Sequence, residues 1–407
     1  MNKNIKLAVA GAVLALSATA ANAGIIIPAG DWTVDIGGNV NTFYTHTSYS
    51  GNLSGTSTNV MQTGLLPTAI GIGAKTRQND LDVAFQFSFF TGVNSNGADQ
   101  LNTGGGIGSV GVTQSESDIT ATSYPSNGGL GYNSLNIRQA FLSFGDKSWG
   151  SIKMGRDLGV FGSDAILSDM TLLGVGSGAG GGGSSTLGRI GSGYIYADWL
   201  AQMAYTTPNF NGFEATGSIH ENLGSLDNNE LGYSGKASYT FAANDVNGKV
   251  WVEGTTRKIQ SGTRTAGGTV NITGEDRAEG YGIGGKVGAA GAELVGYYYD
   301  GKNMDSGIGT AINTNNSGTL ANLDNKGGYV QATYILPTKT KVGVSWGLNS
   351  IQTAVNDTER EAWVVGAYHP LTKHLNVVAE YNHLEATNSS NVEGKAKTVS
   401  LGAILFF

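Results

Sequence analysis

The residues of this chain whose type and spacing could do chemistry are single charges set into alternating apolar and polar stretches. Lys75 stands opposite Ile72 and Ala74, and Lys153 lies between Ile152 and Met154. Side chains on a strand alternate faces, so each lysine shares a face with polar neighbours. A cation placed that way attracts, repels or orients dissolved charge, and breaks no bonds. Residues for bond chemistry find no obvious partners. There is no cysteine, which removes disulfides and thiolate metal sites. The five histidines show no metal-ligand spacing; His369 and His374 flank a turn. No catalytic set stands out, although a Ser-His-Asp grouping made in space is left open. The run Gly178–Gly183 lacks the Gly-Lys-Ser/Thr ending of a phosphate cradle and reads as a flexible loop. The expectation is a protein without cofactor or metal.

The elements that must carry such charges are strands. From Lys397 to Phe407 the odd positions Val399, Leu401, Ala403, Leu405 and Phe407 are apolar, while Thr398, Ser400 and Gly402 are small or polar. Only Ile404 and Phe406 break that rule. Leu81–Phe89 alternates as cleanly. Further segments lie at Trp32–Tyr44, about Leu66–Thr76, Ser134–Phe144 and Trp149–Arg156. The rest fall at 194–207, 212–222, 231–242, 248–259, 279–288, 292–300, 327–336, 340–349, 359–368, 373–386 and 396–407. That makes 16, with short turns after the even segments and long polar loops after the odd ones. An even count with this asymmetry fits an antiparallel transmembrane barrel whose short turns face the periplasm. Long polar stretches all lie between strands, so one domain is expected over 24–407.

The amino terminus points to the same compartment. Lys3 and Lys6, an apolar run from Leu7 to Ala20 and the sequence Ala21-Asn22-Ala23 form a signal-peptide pattern over 1–23. No later stretch is apolar for about 18 residues, as a spanning helix would be, and the remaining way across a bilayer is a closed barrel. Hydrophobic content is 40% with 64 glycines, as expected when every second residue faces lipid. Net charge is −7, becoming −9 once Lys3 and Lys6 leave. Scattered cations in an acidic chain give no basic patch for nucleic acid. Trp32, Tyr44, Tyr205, Tyr239, Phe241, Tyr298, Tyr334, Trp346, Tyr368 and Tyr381 suit aromatic girdles at the two interfaces.

Three stretches resemble a known family. They are Arg138-Gln139-Ala140-Phe141-Leu142-Ser143-Phe144-Gly145-Asp146 with Trp149-Gly150-Ser151-Ile152-Lys153-Met154-Gly155-Arg156, then Tyr205-Thr206-Thr207-Pro208-Asn209-Phe210-Asn211-Gly212-Phe213, then Tyr368-His369-Pro370-Leu371-Thr372-Lys373-His374. In order and spacing they are similar to the general Gram-negative trimeric porins of the Neisseria and Burkholderia type. His374 stands where that family usually has a second basic residue, and the glycine run departs from its pattern. The resemblance implies a 16-stranded barrel whose third loop folds inward and narrows a water-filled channel for ions and small hydrophilic solutes. It also implies a homotrimer set among outer-membrane lipid and lipopolysaccharide, with the terminal Phe407 closing the barrel.

The residues themselves agree about that loop. Asp157–Gly193 is far longer than a hairpin needs, and Val160, Phe161, Ile166, Leu167, Met170, Leu172 and Leu173 give it an apolar surface worth burying. Asp164 and Asp169 are its candidate pore acids. Lysine facing mid-bilayer lipid costs roughly 2–4 kcal/mol, so Lys75 and Lys153 are expected to face the lumen. Arg138 matches an arginine that lines the constriction in the family, although strict alternation then leaves Gln139 on the outer face. Arg156 and Arg189 bracket the loop and either line the passage or anchor its ends. Lys236, Lys286, Lys341, Asp82, Gln86, Asp198, Gln202, Glu214 and Glu380 read as general lumen wall. A substrate-specific channel of 18 strands is the nearest alternative. A barrel enzyme of the outer membrane is a more distant one, and a secreted β-solenoid lacks the short repeat it needs.

Overall fold

The computed structural model describes residues 24–51, 57–93, 136–178, 185–222, 230–264, 270–304, 323–352, 357–387 and 393–407. The expected leader at 1–23, most of the long loop after residue 92 and most of the glycine run lie outside them. The barrel strands are β1 (Trp32–Gly51), β2 (Thr68–Gln78), β3 (Leu81–Thr91), β4 (Asn136–Asp146), β5 (Gly150–Leu158), β6 (Trp199–Thr206), β7 (Phe213–His220) and β8 (Gly232–Ala243). They continue as β9 (Val246–Arg264), β10 (Val270–Ala289), β11 (Ala292–Lys302), β12 (Asp324–Ile335), β13 (Lys341–Gln352), β14 (Asp357–Pro370), β15 (Leu375–Thr387) and β16 (Glu393–Phe406). Each pairs antiparallel with the next, and β16 pairs with β1 from Asn39↔Phe406 to Gly51↔Gly394, closing a 16-stranded barrel. No helix among the described residues is long and apolar enough to cross a membrane.

Period-two patterning explains which face points where. On β3, Phe85 and Phe87 are exposed whereas Gln86 and Ser88 are buried. The exposed face is therefore the oily one, which is favourable only against lipid. Val399, Leu401 and Leu405 on β16 follow the same rule. Ile404 and Phe406, the two exceptions in the sequence, point inward and pack on Leu66 and Leu173. Short turns do what their residues allow. Asn79 (φ 50°) and Asp80 (φ 61°) both take the left-handed conformation that a two-residue hairpin requires.

Several boundaries differ from the sequence reading, each for a tertiary reason. Ser57–Gln62 pairs with Phe43–Ser48, and β2 pairs further along the same edge of β1, so the second strand is interrupted at 63–67. There the chain turns into the lumen, where Asn41 Oδ1 accepts from the Gly64 amide (2.9 Å) and Asn41 Nδ2 donates to the Leu66 carbonyl (2.8 Å). A second short piece, Ile25–Ala29, folds back on Trp32–Ile36. These two pieces bring the sheet to 18 hydrogen-bonded segments while the wall has 16 strands, which removes the 18-stranded alternative. β9 and β10 stay paired out to Arg264↔Val270, well beyond the expected 248–259 and 279–288. β6 starts at Trp199 rather than 194, because Tyr194 and Ile195 are buried inside the barrel. Tyr368 also leaves the expected girdle: it is 2% exposed and packs inward.

Candidate functional site

Residues 159–198 connect β5 to β6, and the described parts of that segment, 159–178 and 185–198, lie against the inner wall. Their apolar residues meet inward-facing side chains of the barrel: Phe161, Ile166, Leu187, Ile190 and Tyr194 share a core with Trp251, Tyr297, Tyr299 and Tyr329. Burying backbone inside a barrel requires a partner for every amide and carbonyl. The segment finds some internally. Gly162 (φ 79°) opens the short helix α1 (Ser163–Ser168), and Asp169 follows it. Asp169 Oδ1 accepts from the Thr171 amide (2.9 Å), and Oδ2 accepts from Tyr194 Oη (2.8 Å) and the Arg189 amide (3.1 Å).

The wall supplies the rest. Glu253 on β9 accepts from the Gly162 amide (3.0 Å) and from Tyr297 Oη (2.7 Å). On β12, Tyr329 Oη donates to the Ala165 carbonyl (2.8 Å), and Gln331 both donates to Ser168 O (3.0 Å) and accepts from Met170 N (2.7 Å). Glu380 on β15 accepts from the Val175 and Gly176 amides (2.8 and 2.7 Å) and from Tyr368 Oη. Arg189 reaches outward to β13 and β14, donating to Ser345 Oγ (3.1 Å), Ser345 O and Ala362 O (2.7 Å). The interruption before β2 closes the ring, since the Leu65 amide donates to Gly174 O (2.9 Å). A Cβ on Gly64 would lie 2.1 Å from that carbonyl oxygen, and one on Gly174 would lie 2.0 Å from Glu380 Oε1. Only glycine permits this approach.

Charge is distributed unevenly along this contact. Asp164 bridges Lys236 (2.7 Å) and Lys249. Burial alone would raise its pKa, but the two ammonium groups outweigh that and hold the carboxyl below its ordinary range. Lys249 stands directly across from Lys286 in the β9–β10 ladder, a like-charge pair that opposes sheet stability. Burial pushes the Arg189 guanidinium down to about 10 and the Asp198 carboxyl, at the mouth of β6, up to about 7.

The structure scatters the residues singled out from the sequence. Asp164 meets Lys236 and Lys249, not Lys75, Arg138 or Lys153. Asp169 is 4% exposed and bonded within the loop. Arg189 is fully buried, so of its two expected roles the geometry shows contact with the wall. Lys153 pairs with Asp157, which Gln139 also contacts (2.9 Å). Arg156 shares a register row with Ala140 and Ala201 and lies 3.7 Å from Glu221. Lys75 is exposed, on the parity of Gly71 and Gly73, and makes no ion pair among the described residues. At Arg138 the β3–β4 register skips a residue, pairing Ser88 with Gln139 and Phe89 with Ile137. This bulge turns both Arg138 and Gln139 inward, which corrects the expectation that Gln139 faces out.

Lys249, Glu253 and Gln331 were missed as partners, although alternation places all three on the lumen face. What no local pattern carries is that a distant loop covers them. Gly343-Val344-Ser345-Trp346-Gly347 has the spacing of a nucleophile elbow, but it lies wholly within β13 rather than at a strand-to-helix turn. Ser345 there is 1% exposed and holds Arg189.

A family model described as Gram-negative porin matches residues 8–389. Among solved structures, the outer membrane channel DcaP of Acinetobacter baumannii is similar with TM-score 0.64 at 12% identity, covering 95% of this chain and 100% of that one. OmpF of Salmonella typhi, solved in complex with daunomycin, gives 0.58 at 17%, covering 94% and 100%. The anion-selective porin of Comamonas acidovorans gives 0.57 at 14%, covering 92% and 100%. No curated protein matches the chain.

Proposed function

Since this chain belongs to the Gram-negative porin family and is an outer-membrane channel, we propose that it passes ions and small hydrophilic solutes by passive diffusion, and that residues 159–198 narrow the passage. The observation that supports this most is the ring of wall contacts from Glu253 through Gln331, Arg189 and Glu380 to Leu65. A segment bonded at so many points around the lumen sets a fixed aperture rather than a swinging lid. Sieving by that aperture is joined by a field from lumen charges such as Lys75, Lys153, Lys249, Lys286 and Asp164. The low-dielectric wall strengthens such a field. Passage of this kind needs no catalytic group, and we read the protein as a channel rather than an enzyme.

Further parts of this reading rest on resemblance and sequence pattern. The chain is exported through a leader cleaved before Gly24 and assembles as a homotrimer. Val40, Tyr44, Val399 and Leu401, exposed on β1 and β16, supply apolar surface for lipid, lipopolysaccharide or a neighbouring subunit. Planar-bilayer recording with a salt gradient tests the proposal. Stepwise conductance with a defined reversal potential is expected, and a purified, folded protein giving no steps would overturn it.

A further inference from the structure

The buried, inward-facing Arg138 has no polar partner among the described residues. Arg138 is 7% exposed, and among the described residues it makes no hydrogen bond and no ion pair; its Nε is buried with nothing to donate to. Its guanidinium instead rests on two rings, 4.6 Å from the centroid of Phe90 and 5.8 Å from that of Trp199. Ring faces attract a cation but leave five N–H donors unused, and a buried guanidinium without acceptors is costly. The β4 bulge that turns Arg138 inward makes this a built feature of the wall.

The group lines a cavity of about 50 Å³ between β3, β4, β6 and the inward segment. The rest of its wall is mostly apolar: Phe90, Trp199, Leu158, Ile166 and Leu172. Thr186 adds a buried hydroxyl that also has no partner. Leu167, Leu172 and Tyr196 on its edge are only partly buried. A volume of this size exceeds what a single water needs, and it holds a carboxylate head but not a whole aromatic solute.

We propose that this cavity is a subsite for organic carboxylates with an apolar body. The carboxylate takes the forked donors of Arg138 and the Thr186 hydroxyl, and the hydrocarbon part extends out of the cavity past the partly buried Leu167, Leu172 and Tyr196. Small inorganic anions satisfy the arginine but leave the apolar wall uncovered, and neutral aromatics do the reverse. Only a solute with both parts uses the whole site. The inference rests on the channel reading and adds a solute class to it.

Benzoate is the probe, with its uncharged isostere benzamide and the short acid acetate as comparisons, each added during single-channel recording in planar bilayers. Benzoate is expected to interrupt the current at concentrations about tenfold or more below either comparison, because a charge-assisted bond and the apolar contact act together. Equal potency of benzoate and benzamide, or of benzoate and acetate, in the wild-type protein overturns the subsite without any variant being needed. Arg138→Gln, folded as judged by heat-dependent gel mobility, is expected to raise the half-blocking benzoate concentration about tenfold or more. Arg138→Lys keeps charge but loses the fork, so it should fall between the two. An unchanged benzoate response in folded Arg138→Gln contradicts the proposal. Complete absence of conductance in the wild type sinks the channel reading instead.

Discussion

The two sides of the lumen handle their polar groups in opposite ways. From β9 to β15 the wall offers Glu253, Tyr329, Gln331, Ser345 and Glu380, and each is matched to a backbone or side-chain group of residues 159–198. From β3 to β6 the wall's polar groups bond one another, Gln139 and Lys153 both reaching Asp157, and Arg138 packs on Phe90 and Trp199 with no polar partner among the described residues. Buried hydrogen bonds add modestly when made and cost heavily when one partner is lost. The first side is therefore built to hold a segment still. The second keeps polar capacity in reserve for something that passes.

If that contrast is right, damage to the holding side should be structural, and the largest effect belongs to Arg189→Ala. It leaves Ser345 and Ala362 acceptors buried without a donor, at roughly 3 kcal/mol or more. Urea unfolding in detergent should show a clear drop in midpoint; an unchanged midpoint would mean the segment is not held there. Glu380→Gln comes next. It exchanges a charged acceptor shared by Val175, Gly176 and Tyr368 for a weaker neutral one, at about 1–2 kcal/mol. Its open-channel current should become noisier than the wild type's, and equal noise would argue against a tethered segment.

Asp164→Asn tests charge more than hold. Lys236 and Lys249 lose their counter-ion, so the reversal potential should shift toward anions, and a shift toward cations would contradict the pairing. The pH dependence has a fixed sign. The Asp164 carboxyl is held below its ordinary range when folded, so its stabilisation is present above the unfolded value of about 3.9 and is lost as pH falls through the folded value. The stability of wild type should therefore fall more steeply with decreasing pH below about pH 4 than that of Asp164→Asn. The smallest effect is expected at the rim, where the half-exposed Arg77 contacts Asp82 (2.9 Å) and Asp146 (2.8 Å). Exposed pairs add little, and Arg77→Gln should leave both the urea midpoint and the conductance unchanged. A marked loss in either would show that the rim takes part in the hold.

The same contrast marks how far the sequence could be read. The barrel was legible because lipid imposes one face on every strand: Leu81–Phe89 and Thr398–Ala403 declare it residue by residue. Departures from alternation were informative too. Ile404 and Phe406 look wrong for a lumen face until Leu66 and Leu173 cover them, and Arg138 next to Gln139 looks wrong until a bulge turns both inward. The ring of contacts was not legible. Val175 finds Glu380 across 205 residues and Arg189 finds Ala362 across 173, separations that no local period encodes. The detour at 63–67 was hidden for the same reason: its partners are Asn41 and the carbonyl of Gly174, not its own neighbours.

The chain has no cysteine, and this allows the central claim to be tested by one measurement. Leu167→Cys places the sole thiol on the inward segment, at a partly buried position on the edge of the cavity beside Arg138. If residues 159–198 set the aperture, attaching a bulky thiol reagent to that cysteine should cut single-channel conductance in clear steps, reversibly on reduction. Full labelling with unaltered conductance would place the narrowest part of the channel elsewhere.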